Sequence, residues 1–114
     1  MLPKERRLVS DYDFRKVRRG GRKVSNTLFD FYYLPTGTPS RFGFVVSTKL
    51  DKRAVRRNRA KRILREEVRL LLPRIRSGFD FVFWARKRFL DAKPEQVEAA
   101  IKTALRQAGV MRND

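Results

Sequence analysis

The sequence has its highest density of positively charged side chains in a run that begins at Lys52. The twelve residues from Lys52 to Ile63 contain no acid, and Arg57-Asn58-Arg59 stands at their centre. Guanidinium groups form forked bonds to phosphate and stack on bases. Like charges in the first helical turn repel one another and the helix dipole, and phosphate groups at that end would offset this cost. The run therefore predicts a phosphate-binding helix, with a solvated basic face as the alternative.

Residue types usually needed for catalysis are missing. The sequence has no His and no Cys, which excludes Ser–His triads, thiolate metal sites and disulfides. The adjacent acids Asp11/Asp13 and Glu66/Glu67 are interpreted as capping and helix-surface groups rather than metal ligands. We therefore expect no catalytic and no metal-binding residue in the protein.

The charge balance points to a polyanionic partner. The 114 residues carry 29 Lys and Arg against 12 Asp and Glu, which gives a net charge of +17. Residues 1–26 hold nine basic and three acidic side chains, and residues 49–69 hold ten and three. A G+C-rich genome is an alternative explanation for the many Arg residues, but it does not explain their clustering. The length predicts a single domain over residues 1–114, and the charge favours nucleic acid as its partner.

Membrane association is not expected. No apolar run approaches the roughly 20 residues that span a bilayer. Residues 1–7 lack the apolar region of a secretory signal. We expect a cytoplasmic protein that needs no protein partner.

Periodicity predicts six elements in an α+β arrangement. Ser10 and Asp13 resemble a capping box at the first helix, and Gly20-Gly21 ends it. The short loop 35–40 favours antiparallel pairing of the first two strands. The elements are helix 11–19, strand 23–34, strand 41–48, helix 52–72, strand 79–85 and helix 94–108.

Alternation separates core from surface within these elements. Phe29, Phe31 and Tyr33 share one strand face, whereas Tyr32 lies on the other. The long helix has an apolar stripe of Ala60, Leu64, Val68 and Leu71, and a nearly opposite stripe of Asn58, Arg62, Arg65 and Arg69.

The run Ala54-x-x-Arg57-Asn58-Arg59-x-Lys61-Arg62-x-x-Arg65 resembles the RNR signature of the bacterial ribonuclease P protein subunit. Two departures are visible: Ala60 replaces a larger aliphatic residue, and Arg18 stands where relatives often have an aromatic residue. Further similarities run in the family's order from about residue 8 to residue 108. They are Asp13 to Val17 with Gly20 or Gly21, the strand Phe29 to Leu34, Arg41-x-Gly43-x-x-Val46-Ser47-x-Lys49, and Gly78-x-Asp80 to Arg86.

The resemblance implies a fold and an activity. The fold would be a two-layer α+β sandwich in the order α-β-β-α-β-α, ribosomal protein S5 domain 2-like, with a left-handed βαβ crossover and a cleft between the first helix and the sheet. In the family the ribonuclease P RNA binds Mg²⁺ and is the catalyst. The holoenzyme is an endoribonuclease that removes the 5′ leader from precursor tRNA, which makes both RNAs the expected partners.

The resemblance also assigns residues. Phe14 and Tyr32 would line the cleft, with Arg18 available to stack on a base or pair with phosphate. Phe14 as a core residue and Asn58 as a group that fixes the preceding loop are equally open alternatives. The residues expected to face RNA on the long helix are Arg57, Asn58, Lys61 and Arg65, and the wider phosphate-binding surface adds Lys49, Arg53, Arg59, Arg62 and Arg69.

Three other classes of protein share some of these features. A small basic ribosomal protein would co-purify with ribosomal subunits. A DNA architectural protein would bind duplex DNA as well as precursor tRNA. A protein-only nuclease would cleave without any RNA subunit.

Overall fold

The computed structural model describes residues 2–112; Met1, Asn113 and Asp114, the ends of the predicted domain, lie outside the described residues. The chain forms three α-helices and four strands, with 3₁₀ turns at Lys4–Arg6, Leu72–Arg74 and Lys87–Asp91. The main elements are α1 (Asp11–Gly20), β1 (Arg22–Ser25), β2 (Phe29–Pro35), β3 (Arg41–Val45), α2 (Ala54–Leu71), β4 (Phe79–Ala85) and α3 (Pro94–Gln107).

The predicted α+β class and order of elements are confirmed, with one addition. The first predicted strand is a hairpin, because the chain turns at Asn26. The Asn26 Oδ1 atom accepts hydrogen bonds from the backbone N–H groups of Leu28 at 2.8 Å and Phe29 at 2.9 Å. Asn side chains commonly stabilise turns in this way. The turn separates β1 from β2, which pair antiparallel.

The strand order is β1-β2-β4-β3. The predicted pairing of β2 with β3 is wrong, because β4 lies between them, antiparallel to β2 and parallel to β3. The loop after β2 crosses the start of β4, where the N–H groups of Thr36 and Gly37 donate to the Gly78 carbonyl at 2.8 and 3.3 Å. Strand β4 is apolar on both faces apart from Asp80, so burial favours the centre of the sheet.

The parallel β3–α2–β4 unit is the predicted βαβ crossover. Its left-handed sense stays an expectation from the resemblance. No helix within residues 2–112 is long and apolar enough to cross a membrane.

One face of the sheet is sealed by α2 and α3. Buried rings cover this face, and the apolar stripe predicted for α2 packs on them as expected. The rings stack or pack edge to face at centroid distances of 4.8 to 5.7 Å. The fully buried ones are Phe29, Phe31, Phe42, Phe81 and Phe83.

The opposite face is covered only in part, by α1. Val17 of α1 packs with Leu8, Tyr32 and Val82 in a smaller cluster. Ser10 caps α1, since its Oγ accepts a hydrogen bond from the Asp13 N–H at 3.1 Å, as the capping motif predicts. Helices therefore lie on both faces, and the ten residues of α1 are too few to close the second one.

Candidate nucleic-acid interface

A groove separates α1 from the uncovered part of the sheet. Phe14 of α1, Val45 of β3 and Trp84 of β4 form its apolar surface, and Arg15 and Arg18 stand along its edge. The depression has a volume of about 380 Å³, and Asp11 is its one carboxylate. Apolar rings beside guanidinium groups suit a nucleotide, whose base stacks and whose phosphate is anionic.

Gly43 allows Phe14 to lie in the groove. A Cβ atom at Gly43 would collide with the Phe14 ring and would lie 3.2 Å from Leu8 Cδ1. A glycine inside a strand often marks such a close approach. Phe14 is half-buried against the smaller cluster and also lines the groove, so its position suits both of the open alternatives, and its contact with RNA stays a prediction.

Arg18 lies over the ring of Trp84, with its Cζ atom 4.5 Å from the ring centroid. Relatives often have an aromatic residue at the position of Arg18. In this chain the ring beside that position belongs to Trp84 of β4. Sequence reasoning missed Trp84 because residues 79–85 are apolar at nearly every position and show no polar face. Alternation places Trp84 on the face of Asp80 and Val82, but only the register with β2 shows that this is also the face of Tyr32.

A second depression of about 330 Å³ adjoins the first and shares Phe14 with it. Asn58, Lys61 and Arg65 of α2 form one side, one helical turn apart. No carboxylate lines it, and its remaining lining residues are Arg7, Leu8, Phe42 and Phe44. We call the two depressions together the α1 groove.

Arg7 is a second residue that sequence reasoning missed. The chain around it runs beside β3, since Arg7 forms a parallel bridge with Phe42. Its Nε is buried without a hydrogen-bond partner within residues 2–112. A buried donor of this kind gains from an acceptor such as a phosphate oxygen. Hydrophobic periodicity does not mark Arg7, because this residue follows a proline and a short 3₁₀ turn and lies in no regular helix or strand.

An ion-pair network holds α1 against the sheet. Arg41 Nη2 lies 2.8 Å from Asp80 Oδ2, Arg41 Nε donates to Asp80 Oδ1 at 3.1 Å, and Arg41 Nη1 lies 3.4 Å from Asp13 Oδ2. Asp80 is only 3% exposed, and its hydrogen bonds raise the pKa of Arg41. Because Asp13 precedes Phe14, the network fixes the edge of the groove.

Comparison with known proteins identifies the family. The ribonuclease P family model matches residues 2–109. The chain belongs to the ribonuclease P protein family. It is 40% identical to the ribonuclease P protein component of Pelotomaculum thermopropionicum, over 93% of this chain and 95% of that protein. It is 40% identical to that of Symbiobacterium thermophilum over 99% of both.

Solved structures of the family share the fold. The ribonuclease P protein of Staphylococcus aureus superposes with a TM-score of 0.85 at 28% identity, covering 94% of this chain and 98% of that one. The protein from Thermotoga maritima gives a TM-score of 0.80 at 30% identity, covering 89% and 96%. Membership implies an RNA partner in the ribonuclease P complex and favours this function over that of a small ribosomal protein.

The protein itself supplies an anion, Asp51, at the start of α2. Asp51 accepts hydrogen bonds from the Arg53 N–H at 2.8 Å, from Arg53 Nε at 3.1 Å and from Arg56 Nη1 at 3.0 Å. These bonds, those from Arg53 first, lower the pKa of Asp51 to about 2. Arg57 Nη1 donates to the carbonyls of Asp51 and Lys52. Asp51 therefore offsets part of the cost of this first turn within the protein, and phosphate binding there stays a prediction.

The other predicted residues are spread around the groove. Tyr32 lies on the predicted face, but it is 8% exposed and lines neither depression, because α1 and the sheet enclose it. Arg59 lines a small depression beside Phe89 and Leu90 instead. Arg69 pairs with Glu66 at 2.6 Å. Lys49 and Arg62 are exposed outside both depressions.

Proposed function

We propose that this chain acts in the ribonuclease P holoenzyme by holding the single-stranded 5′ leader of precursor tRNA in the α1 groove. The observation that carries the proposal is the composition of the groove: aromatic rings between two rows of cations, with one carboxylate at the edge. Base stacking on such rings contributes about 1–3 kcal/mol per base and tolerates any sequence. A subunit that meets many different leaders needs that tolerance.

Each wall of the groove has its own role in the proposal. Phe14 and Trp84 offer ring surface to successive bases, and the guanidinium of Arg18 covers one side of the Trp84 ring. Lys61 and Arg65 on α2 face the sugar–phosphate backbone. Asn58 adds a neutral donor and acceptor beside them, which suits hydrogen bonding to RNA more than bulk attraction.

We assign the hydrolysis of precursor tRNA, the substrate, to the RNA subunit. Mg²⁺ prefers several oxygen ligands. The groove offers one carboxylate, Asp11, among cations, and this set of donors does not fit a divalent cation. We infer that the RNA holds the Mg²⁺ ions, and no step of the reaction passes through a protein side chain.

Trp84 is the single tryptophan of the chain and reports directly on the groove. Titration with a single-stranded RNA octanucleotide should quench its fluorescence. Phe14→Ala should weaken that binding about tenfold, the equivalent of one stacked base. Phe14→Leu keeps the apolar contact with Gly43 but removes the stacking surface, so it should lose nearly as much affinity while unfolding like the wild type. Full affinity of Phe14→Leu would refute stacking at this position.

A processing assay tests the assignment of hydrolysis. The purified chain should stimulate cleavage of precursor tRNA by a bacterial ribonuclease P RNA at low Mg²⁺ concentration. Without the RNA subunit it should cleave nothing. Cleavage by the chain alone would overturn the proposal.

A further inference from the structure

The outer face of α1 carries a second cationic cluster, turned away from the groove. Tyr12, Arg15, Lys16 and Arg19 lie three and four residues apart, so they share one side of the helix over roughly 10 Å. Phe14 and Val17 occupy the opposite side. The four side chains and Gly20 surround a shallow depression of about 440 Å³. We call this surface the outer face.

The charges of the outer face are not neutralised by the protein. Arg15, Lys16 and Arg19 have no carboxylate partner within residues 2–112. Only some cations elsewhere have a carboxylate partner, such as Arg53 with Asp51 and Arg86 with Asp30. Like charges three and four residues apart repel and weaken a helix. An anion on this side would remove that repulsion.

Tyr12 makes the outer face more than a solvated basic patch. It is 72% exposed, although an aromatic ring gains by burial. A ring among cations provides one stacking or hydrogen-bonding group beside three phosphate-binding groups. The first depression of the groove has two rings for two guanidinium groups, so the outer face offers less ring surface for each cation. The outer face therefore fits a backbone better than a splayed row of bases.

We propose that the outer face of α1 binds the sugar–phosphate backbone of a double-helical segment of the partner RNA, separately from the leader. Double-helical RNA is recognised mainly through phosphates and 2′-hydroxyl groups, which side chains around a shallow depression can reach without a deep pocket. Arg15 lines both the outer face and the groove, so the partner RNA on the outer face would lie next to the leader in the groove. This proximity to a leader rests on the proposed function of the groove, whereas the unpaired charges and the exposed ring do not depend on it.

The test uses a folded bacterial ribonuclease P RNA as the probe, without precursor tRNA. Lys16→Ala/Arg19→Ala removes two exposed cations and should bind this RNA about tenfold more weakly. It should also lower the salt-dependence slope by about 2, one for each phosphate that the variant no longer neutralises. Tyr12→Ala should bind about threefold more weakly with an unchanged slope. Thermal unfolding should match the wild type.

A matched control removes the same charge elsewhere. Lys87→Ala/Arg106→Ala alters two exposed cations away from α1 and should stay within twofold of the wild type. Quenching of Trp84 by the octanucleotide should also be unchanged in the outer-face variants. This second measurement separates the outer face from the groove, because Trp84 quenching reports on binding in the groove.

Four results would overturn the proposal. Wild-type affinity of the double variant would remove the outer face from the RNA interface. An equal loss in the Lys87/Arg106 control would reduce the effect to net charge. A matching loss of octanucleotide binding would make the outer face part of the groove. Poly-L-glutamate serves as a model of an acidic protein. If the double variant loses binding to poly-L-glutamate but keeps wild-type affinity for the RNA, the outer face would be assigned to an acidic protein partner.

Discussion

The two faces of the sheet are formed by the same strands, but one face is fully covered by helices and the other only in part. On β4, Phe81 and Phe83 point into the sealed face under α2 and α3, whereas Val82 and Trp84 point toward α1. The sealed face is completed by large rings that contact one another. The α1 side ends at a half-buried tryptophan beneath an arginine.

The difference lies in how each covering helix is held. Helices α2 and α3 insert continuous apolar stripes into the sealed face. Helix α1 inserts only Val17 fully and is fixed by polar contacts and close backbone approaches, among them the Arg41 network. A short helix held at its ends leaves room along its side, and that room is the groove. Stability should therefore depend mainly on the sealed face and binding mainly on the other.

The largest expected effect comes from the sealed face. Phe81 is fully buried and stacks with Phe31 and Phe42 at centroid distances of 5.5 and 5.1 Å. Phe81→Ala should lower the free energy of unfolding by about 3–5 kcal/mol, because it removes a ring and leaves a cavity. Urea denaturation measures this loss. Octanucleotide affinity of the molecules that remain folded should stay within twofold, and a larger loss would couple the two faces.

The next effect comes from the contact between α1 and β3. Gly43→Ala should lower the free energy of unfolding by about 1–3 kcal/mol through overpacking. It should also displace the Phe14 ring and weaken octanucleotide binding several-fold, measured by Trp84 quenching. The disproportionate loss of binding distinguishes this face from the sealed one.

Gly20→Ala is the matched control for that variant. A Cβ atom at Gly20 would lie 3.7 Å from Leu34 Cδ1, an ordinary contact, and Gly20 ends the same helix. Binding and stability should both remain close to wild type. Loss of binding in Gly20→Ala would show that any change in α1 disturbs the groove, and the close approach at Gly43 would then have no special role.

The sealed face could be read from sequence because periodicity determines it. The stripe Ala60, Leu64, Val68 and Leu71 is buried as predicted, since a helix repeats every 3.6 residues and must bury its apolar side. The neighbours of each strand could not be read in the same way. Loop length favoured pairing β2 with β3, but the centre of a sheet goes to the strand that is most apolar on both faces, which is β4.

The groove could be predicted only in part, because it joins residues distant in sequence. Phe14, Asn58, Lys61 and Arg65 were found through the resemblance and converge as expected. Trp84 and Arg7 join them through tertiary packing, which no local pattern records. For Tyr32, alternation predicted the correct face of the strand but not the exposure of the side chain, because that exposure depends on where α1 lies.

A smaller effect is expected at the Arg41 network. Asp13→Asn removes the partly exposed ion pair with Arg41 and leaves the bonds between Arg41 and Asp80. The free energy of unfolding should fall by only about 0.2–1 kcal/mol, the range for exposed pairs. Octanucleotide affinity should fall about twofold to threefold, because the start of α1 gains freedom beside Phe14. Unchanged affinity would mean that packing alone sets the groove edge.

The smallest effect is expected at the start of α2, outside the groove. The folded protein lowers the pKa of Asp51 from its usual 3.8 to about 2, chiefly through hydrogen bonds from Arg53. Because the folded-state pKa is the lower one, the carboxylate stabilises the protein fully above pH 3.8, and its contribution is lost as the pH falls through about 2. Asp51→Asn should therefore melt at a lower temperature than the wild type at pH 7. The gap should narrow below pH 4 and close near pH 2. A gap that persists there would mean that the Asp51 charge is not what stabilises the helix start, and the cations of α2 would then depend on RNA for their neutralisation after all.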